Sequence, residues 1–137
     1  MSTVDILDLR NLPNLPNLKE SLHNQVKKLN IDKIQKHLFL CADQTKPLCC
    51  SKQISLDSWD YLKRRLKELN LETYIFRTKA NCLRVCGHGP ILVVYPDRIW
   101  YHSVTIPVVE RIIQEHIIGG QVVEEFSFYG VIDSESK

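Results

Sequence analysis

The residues of this chain best equipped for chemistry are its five cysteines, which fall into two stretches. Cys82 and Cys86 are separated by three residues, and upstream lie Cys41 and the adjacent pair Cys49 and Cys50. A cysteine thiolate is a soft ligand for zinc or for the iron of an iron–sulfur cluster. Four of these thiolates, brought together from two loops, would form one such site.

The spacing of the cysteines distinguishes the kinds of site. Structural zinc sites prefer two matching pairs with about two to four residues between the ligands, whereas here only Cys82 and Cys86 are spaced in this way. The upstream pair, Cys41 with Cys49 or Cys50, spans seven or eight intervening residues. A [4Fe–4S] cluster more often shows three closely spaced cysteines. The two pairs therefore favour a [2Fe–2S] cluster, with structural zinc as the alternative.

The surroundings of Cys82 and Cys86 suit an anionic cluster. Gly87 and Gly89 lack a Cβ atom, so we expect backbone amides to approach sulfur closely there and to donate hydrogen bonds that help to set a reduction potential. His88 is disfavoured as a replacement ligand because it stands alone in the loop. Three basic side chains would offset the negative charge of a cluster, namely Arg77, Lys79 and Arg84.

Length and composition indicate one soluble domain. The chain has 137 residues, and its formal charge of +2 is too small to predict a nucleic acid or an anionic membrane as partner. No apolar run reaches the length of a membrane span, and the N-terminus does not look like a signal peptide. We therefore expect a cytoplasmic protein, in which clustered cysteines are more often ligands than disulfides. A redox dithiol is disfavoured because the Cys-x-x-Cys spacing is missing.

Hydrophobic periodicity predicts the elements that would position the two cysteine stretches. From Leu18 to Ile34 the apolar residues fall at roughly helical spacing, which predicts an amphipathic helical arm. A short buried strand is predicted for His37–Cys41. A helix capped by Ser55 or Asp57 should follow, and then a strand from Glu72 to Arg77.

The second half of the chain predicts a hairpin and a helix. Ile91–Tyr95 is β-branched and continuously apolar, and Arg98–His102 should return as its hairpin partner. We expect Thr105 to cap a last helix that ends at Gly119-Gly120, followed by an extended segment over Gln121–Phe128. This order predicts an α/β or α+β fold, a small mixed sheet flanked by helices. If the first and third strands are neighbours, the loops that follow them emerge near the same end and the sulfurs converge.

The segment NCLRVCGHGPILVVYPD, residues 81–97, resembles the second ligand loop and following hairpin of the thioredoxin-like [2Fe–2S] ferredoxins. The resemblance covers roughly residues 37–126, and its other matching stretches are residues 37–41, 99–101, 109–116 and 120–124. The same module is similar to the small iron–sulfur subunit of respiratory NADH dehydrogenases. The resemblance implies a thioredoxin-like fold, one [2Fe–2S] cluster per chain, homodimerisation and electron transfer between protein redox partners.

The resemblance also implies a set of cluster ligands. Three cysteines match ligand positions directly, namely Cys41, Cys82 and Cys86. The family places the remaining ligand about four residues before a small residue that opens the first helix. Ser55 is the candidate for that small residue, which favours Cys50, with Cys49 as the alternative.

Two features of the sequence depart from the family pattern. Ile106 follows Thr105 where the family usually has proline, and residues 1–36 have no counterpart. We expect residues 1–36 to form a tail and helical arm, residues 37–130 the ferredoxin domain, and residues 131–137 a tail. The leading hypothesis is a one-electron carrier and not an enzyme. The alternatives are a thioredoxin-like docking module of a larger redox complex, or a structural zinc protein.

Overall fold

A computed structural model describes residues 17–42, 45, 51–85 and 87–130. The predicted tails at residues 1–16 and 131–137 therefore lie outside the described residues. The chain divides into two compact units, Met1–Asp32 and Lys33–Lys137. No helix in the described part is both long and apolar enough to cross a bilayer.

The first unit contains helix α1, Leu18–Lys28, after which a 3₁₀ turn spans Ile31–Lys33. The helix is shorter than the predicted arm because Asn30 adopts a left-handed backbone conformation with φ of 61°, which ends a helix. None of its residues is buried, and the apolar residues Leu18 and Leu22 are 45% and 51% exposed. The amphipathic stripe of α1 is therefore open to solvent.

The second unit is built on a five-stranded mixed sheet with the order β2-β1-β3-β4-β5. Strand β1 runs parallel to β2 and antiparallel to β3, and the remaining pairs are antiparallel. The strands are β1 Lys36–Cys41, β2 Ile75–Ala80, β3 Leu92–Tyr95, β4 Ile99–Tyr101 and β5 Ser127–Tyr129. A mixed sheet with flanking helices confirms the predicted α+β class.

Helix α2, Lys52–Glu68, connects the two parallel strands. It begins earlier than expected, because Ser51 is its cap and accepts a hydrogen bond from the Ile54 amide at 3.2 Å. The predicted caps, Ser55 and Asp57, both lie inside the helix. The buried Ser55 hydroxyl instead donates to the Lys52 carbonyl at 2.9 Å.

Strand β2 begins later than the predicted Glu72–Arg77. The Leu71 carbonyl accepts hydrogen bonds from the amides of Tyr74 and Ile75, at 3.0 and 2.9 Å, and thereby closes a turn over residues 72–74. Because the turn occupies these amides, pairing with β1 starts at Ile75 and continues to Ala80. The strand is consequently shifted toward the cysteine loop.

Helix α3, Ile106–Arg111, continues as a π-helix over Ile112–Ile118 and ends at Gly119. Thr105 precedes the helix as expected, but its side chain makes no capping hydrogen bond. The apolar side chains of α2 and α3 pack on one face of the sheet and form the core there. Members of this core include Leu38, Leu40, Leu62, Leu66, Val94, Val109, Ile112 and Ile113.

The opposite face of the sheet carries aromatic rings, and we call it the open face. His37 stacks on Phe39 with ring centroids 4.2 Å apart, and Phe39 meets Tyr95 edge to face at 6.2 Å. Trp100 contacts Phe128 in the same manner at 6.3 Å. These residues alternate along the strands with the core residues, so the rings point away from α2 and α3.

A chain of polar groups lies at the end of the sheet that holds the β3–β4 turn. Lys36 contacts Asp97 at 2.9 Å, Asp97 contacts His116 Nε2 at 2.6 Å, and the Tyr101 hydroxyl contacts His116 Nδ1 at 2.7 Å. The amide of Val123 donates to the same hydroxyl at 3.1 Å. Because the Tyr101 hydroxyl oxygen accepts from Val123, its O–H donates a hydrogen bond to His116 Nδ1. The Nε2–H of His116 then donates a hydrogen bond to the Asp97 carboxylate. We call these residues the polar chain.

Burial and pairing set the ionisation of the polar chain. Burial lowers the pKa of His116, which is 2% exposed, more than the Asp97 carboxylate raises it. For Asp97, burial raises the pKa, but the hydrogen bonds from Lys36 and His116 lower it further, and the net shift is downward. Burial raises the pKa of Tyr101 to about 12. These shifts favour an ionised Asp97, a neutral His116 and a neutral Tyr101 at neutral pH.

Candidate metal centre

The two cysteine loops leave the sheet side by side. Cys41 at the end of β1 pairs with Ala80 at the end of β2, and the amide of Ala42 donates to the Ala80 carbonyl at 2.9 Å. Because β1 and β2 are parallel, the loops that follow them begin at the same end of the two strands. Cys82 is therefore only two residues beyond a strand end that adjoins Cys41.

The strands that bring these loops together are not the ones predicted. We expected the first and third strands to do so, and β1 does neighbour β3, but the two are antiparallel. The loop that contains Cys82 leaves the end of β2 and enters β3 at Leu92, which pairs with Leu40. It consequently spans the end of β1, on both sides of Cys41.

Cys41 is fully buried, and Ile91 holds it in two ways. The Cys41 amide donates to the Ile91 carbonyl at 3.0 Å, and the Ile91 amide donates to the Cys41 sulfur at 3.1 Å. A backbone N–H directed at sulfur stabilises negative charge on that sulfur. The site thus offers a thiolate a preformed hydrogen bond.

Cys82 is exposed and has the same kind of partner. Its sulfur accepts a hydrogen bond from the Arg84 amide at 3.1 Å. The bond requires a tight local turn, and Arg84 adopts a left-handed conformation with φ of 72° to form it. Sulfurs that accept backbone N–H bonds at the mouths of two adjoining loops fit the donor set of an iron–sulfur cluster.

Of the two glycines expected to allow a close approach to sulfur, Gly87 shows no steric need for a missing Cβ among the described residues. A Cβ built on Gly87 meets no atom of the described residues within 4 Å, and the Gly87 backbone does not have a positive φ. For the two described cysteines, Cys82 and Cys41, the N–H donors to sulfur are the amides of Arg84 and Ile91.

A direct bond between the two loops was not anticipated from the sequence. The Asn81 side chain donates to the Thr45 hydroxyl at 2.7 Å and accepts from the Thr45 amide at 3.1 Å. Asn81 immediately precedes Cys82, and Thr45 lies between Cys41 and Cys49 in the sequence. This reciprocal contact fixes one cysteine loop against the other, and the asparagine directly before Cys82 was the available signal in the sequence.

The far side of the second loop is fixed to the segment after β4. The Ser103 amide donates to the His88 carbonyl at 2.7 Å, and the Val104 amide donates to the Pro90 carbonyl at 3.0 Å. The buried Ser58 hydroxyl of α2 donates to the Val104 carbonyl at 2.7 Å. The loop is therefore tied, through residues 103 and 104, to the helix that follows the first cysteine loop.

The other predicted ligands, Cys49, Cys50 and Cys86, lie outside the described residues. Within the described residues, no three His, Cys, Asp or Glu side chains come together as a metal site. The structure therefore places two of the predicted ligands, Cys41 and Cys82, at adjoining loop mouths. The choice between Cys49 and Cys50 stays a prediction.

A mixed sheet with helices packed on one face, and two cysteine loops that leave its edge together, define a thioredoxin-like protein with a soft-metal site. The 2Fe-2S ferredoxin of Clostridium pasteurianum is 32% identical over 93 residues, covering 64% of this chain and 90% of that protein. The 2Fe-2S ferredoxin of Aquifex aeolicus is 31% identical over 96 residues, covering 65% and 85%. No protein-family model matches the chain.

Solved structures give the same assignment. The crystal structure of the wild-type thioredoxin-like [2Fe–2S] ferredoxin from Aquifex aeolicus matches with a TM-score of 0.62 and 28% identity, over 70% of this chain and 98% of that one. A cysteine-to-serine variant of the same ferredoxin matches with a TM-score of 0.63 and 28% identity, over 69% and 98%. This chain belongs to the thioredoxin-like [2Fe–2S] ferredoxin family. The predicted family and fold are confirmed.

Proposed function

We propose that this protein is a one-electron carrier that binds one [2Fe–2S] cluster through Cys41, Cys50, Cys82 and Cys86. The observation that carries the proposal is the pair of backbone N–H bonds to the sulfurs of Cys41 and Cys82 at adjoining loop mouths. Membership of the ferredoxin family supports it. An electron carrier needs no substrate pocket of its own, and we expect no enzymatic activity.

The cysteines and the backbone amides around them have different roles at this site. When bound, a [2Fe–2S] cluster accepts and returns one electron. The Ile91 and Arg84 amides stabilise negative charge on the Cys41 and Cys82 sulfurs, and this sets how readily the site is reduced. Cys41 is buried while Cys82 is exposed, so one side of the site is anchored in the sheet and the other faces an approaching partner.

Cys50 is the preferred fourth ligand because it directly precedes Ser51, the cap of α2. The N-terminal end of a helix favours a thiolate nearby, and Cys50 is one residue closer to it in sequence than Cys49. Single Cys→Ser variants, purified anaerobically and analysed for iron and sulfide, test this choice. We expect loss with Cys50→Ser and retention with Cys49→Ser, and the reverse result would assign Cys49.

The open face of the sheet supports a proposal that the protein is a homodimer. Tyr95 and Phe128 are 40% and 44% exposed on this face. Val93 also lies on this face, and it is buried although it does not belong to the core between the sheet and the helices. Exposed aromatic patches of this kind mark interaction surfaces. Sedimentation velocity should show a dimer that Tyr95→Lys converts to monomer. The matched Tyr74→Lys, at a tyrosine 44% exposed in the turn before β2, should remain dimeric.

A second function, docking to a larger redox complex, is favoured by the exposed apolar stripe of α1. Removing residues 1–36 should then leave iron and sulfide content unchanged but abolish assembly with the complex. Loss of the cluster in the truncated protein would instead assign the arm a role in the ferredoxin domain itself. The cytoplasmic location stays a prediction.

A further inference from the structure

Charge is unevenly distributed between the cysteine loop and the rest of the ferredoxin domain. Residues 75–91, which form β2 and the loop, contain three basic residues and no acidic residue. Residues 92–130 contain two basic and five acidic residues. The small net charge of the whole chain therefore conceals a basic region beside Cys82.

The acidic residues of the later segment are largely neutralised by partners. Glu110 accepts from Arg65 at 2.8 Å and from Tyr61 at 2.7 Å, and the Arg65 hydrogen bond lowers the pKa of Glu110 to about 2. Arg111 bridges Glu115 at 2.8 Å and Glu125 at 2.7 Å. These ion pairs offset part of the negative charge of this region.

The basic residues near Cys82 are paired differently. Arg77 and Arg84 form no ion pair within the described part of the chain, and Arg77 Nε is buried there without a hydrogen-bond partner. The Arg77 guanidinium lies 5.7 Å from the centre of the Trp59 ring, and Lys63 approaches the same ring at 5.6 Å. Stacking on an aromatic ring holds a cation in place without neutralising its charge.

The basic residues lie on α2, on β2 and in the cysteine loop that follows β2. Lys63 and Arg77 share the Trp59 ring, and Lys79 follows Arg77 on the same face of β2. Arg84 is exposed, and its amide is bonded to the Cys82 sulfur. Lys63 also contacts the carboxylate of Asp60 at 3.6 Å. We call Lys63, Arg77, Lys79 and Arg84 the basic strip.

We propose that the basic strip is the docking surface for an acidic redox protein, which it steers toward the exposed side of the cysteine site. The proposal rests on the proposed function as an electron carrier. Complementary charge raises the rate of encounter without requiring a large interface. Lys79 and Arg84 are exposed, whereas Arg77 is half-buried, so the accessible part of the strip is the part nearest Cys82 in the sequence.

The basic strip has a second conceivable role, which is to offset the negative charge of the cluster and so raise its reduction potential. The two roles differ in one measurable respect. A change of potential alters the driving force for every oxidant alike, whereas a docking surface discriminates oxidants by the sign of their charge. The ratio of rates for an anionic and a cationic oxidant therefore isolates docking.

Stopped-flow oxidation of the reduced holoprotein by hexacyanoferrate(III) and by hexaamminecobalt(III) measures this ratio. One electron leaves the protein and reduces Fe(III) to Fe(II) or Co(III) to Co(II), with no proton transferred. Arg84→Gln should lower the ratio of anionic to cationic rates about fivefold at about 0.01 M ionic strength, and much less at about 0.15 M. Arg84→Lys should restore the original ratio.

Arg98→Gln is the matched control. Arg98 is also exposed and has a positive φ of 60° beside the 72° of Arg84, but it lies in the β3–β4 turn at the opposite end of the sheet. Both variants lose one charge, so their net charges are equal. An unchanged ratio in Arg84→Gln, or an equal change in Arg98→Gln, would overturn the proposal.

Retention of the holoprotein on a sulfonate cation exchanger provides a reading that does not depend on electron transfer. Arg84→Gln should elute at lower salt than Arg98→Gln, and coincident elution would contradict a local basic surface. Iron and sulfide analysis separates the possible failures. A chain without a cluster overturns the proposed function, whereas a loaded chain with an unchanged rate ratio overturns only the docking surface.

Discussion

The polar groups at the two ends of the sheet differ in how far they are paired within the protein. At the β3–β4 turn, the buried His116 and Tyr101 pair with each other and with Asp97 and the Val123 amide, so the polar chain is closed. At the cysteine end, the described sulfurs of Cys41 and Cys82 accept backbone N–H bonds, and Cys82 is exposed. The polar chain stabilises the fold, whereas the cysteine end presents the exposed thiol of Cys82 to solvent.

The largest effect expected from this contrast is on cluster binding. Cys82→Ser should remove most of the iron and sulfide while the far-UV circular dichroism stays unchanged, because Cys82 is exposed and contributes no core packing. Tyr101→Phe should leave iron and sulfide content intact, since it changes only the polar chain. A folded Cys82→Ser protein with full cluster content would show that Cys82 is not a ligand.

The second effect is on stability. Tyr101→Phe removes the hydroxyl that pairs the Val123 amide and His116 Nδ1, and two buried polar groups left unpaired should cost about 2–4 kcal/mol of unfolding free energy. Urea unfolding followed by circular dichroism measures the loss. Tyr129→Phe is the control, because Tyr129 is 71% exposed and should change stability by less than about 0.5 kcal/mol.

The polar chain also predicts how stability depends on pH. The pKa of His116 is lowered in the folded protein from its usual 6.5, so the unfolded chain binds a proton more readily. The contribution of His116 to stability is therefore complete above pH 6.5 and is lost as the pH falls from there toward its folded pKa. Asp97, whose pKa is also lowered, loses its contribution at more acidic pH still.

Thermal unfolding between pH 7.5 and pH 5 tests this dependence. His116→Gln should flatten the fall in midpoint temperature over that range, because it removes the titrating group. The neighbouring charges of Lys36, Asp97 and Glu115 remain in the variant, so they serve as an internal control. An identical fall in the variant would assign the pH dependence to other groups.

The smallest effect concerns the start of α2. Ser51→Ala removes the capping bond to the Ile54 amide and should cost about 1 kcal/mol. Asp57→Ala, at one of the caps predicted from the sequence, should cost only a few tenths, because Asp57 accepts just an exposed bond from Gln53. Urea unfolding compares the two. A larger loss of unfolding free energy in Asp57→Ala than in Ser51→Ala would show that Asp57 caps the helix, as the sequence predicts.

The hairpin could be predicted from sequence because its signals are local. A run of β-branched residues, a Pro-Asp turn and a returning aromatic strand predict β3 and β4 to within two residues. Strand β2 was misplaced because residues 72–77 alternate in polarity as a strand does. The turn that displaces it depends on the Leu71 carbonyl, which no side-chain pattern reveals.

Contacts between residues that are distant in the sequence limit how much of the site could be predicted. The cysteines could be recognised from their type and spacing, but the Thr45–Asn81 pair joins residues 36 positions apart and leaves no periodic trace. Likewise, apolar spacing predicted one continuous last helix. Its widening into a π-helix at Ile112 leaves the apolar pattern unchanged, so the sequence could not indicate it.

EPR of the anaerobically purified, dithionite-reduced protein determines whether the adjoining cysteine loops hold a [2Fe–2S] cluster. We expect iron and sulfide analysis to give about two irons and two sulfides per chain, and the EPR spectrum to show the signal of a single unpaired electron. A colourless protein that contains stoichiometric zinc, without sulfide and without an EPR signal on reduction, would contradict it.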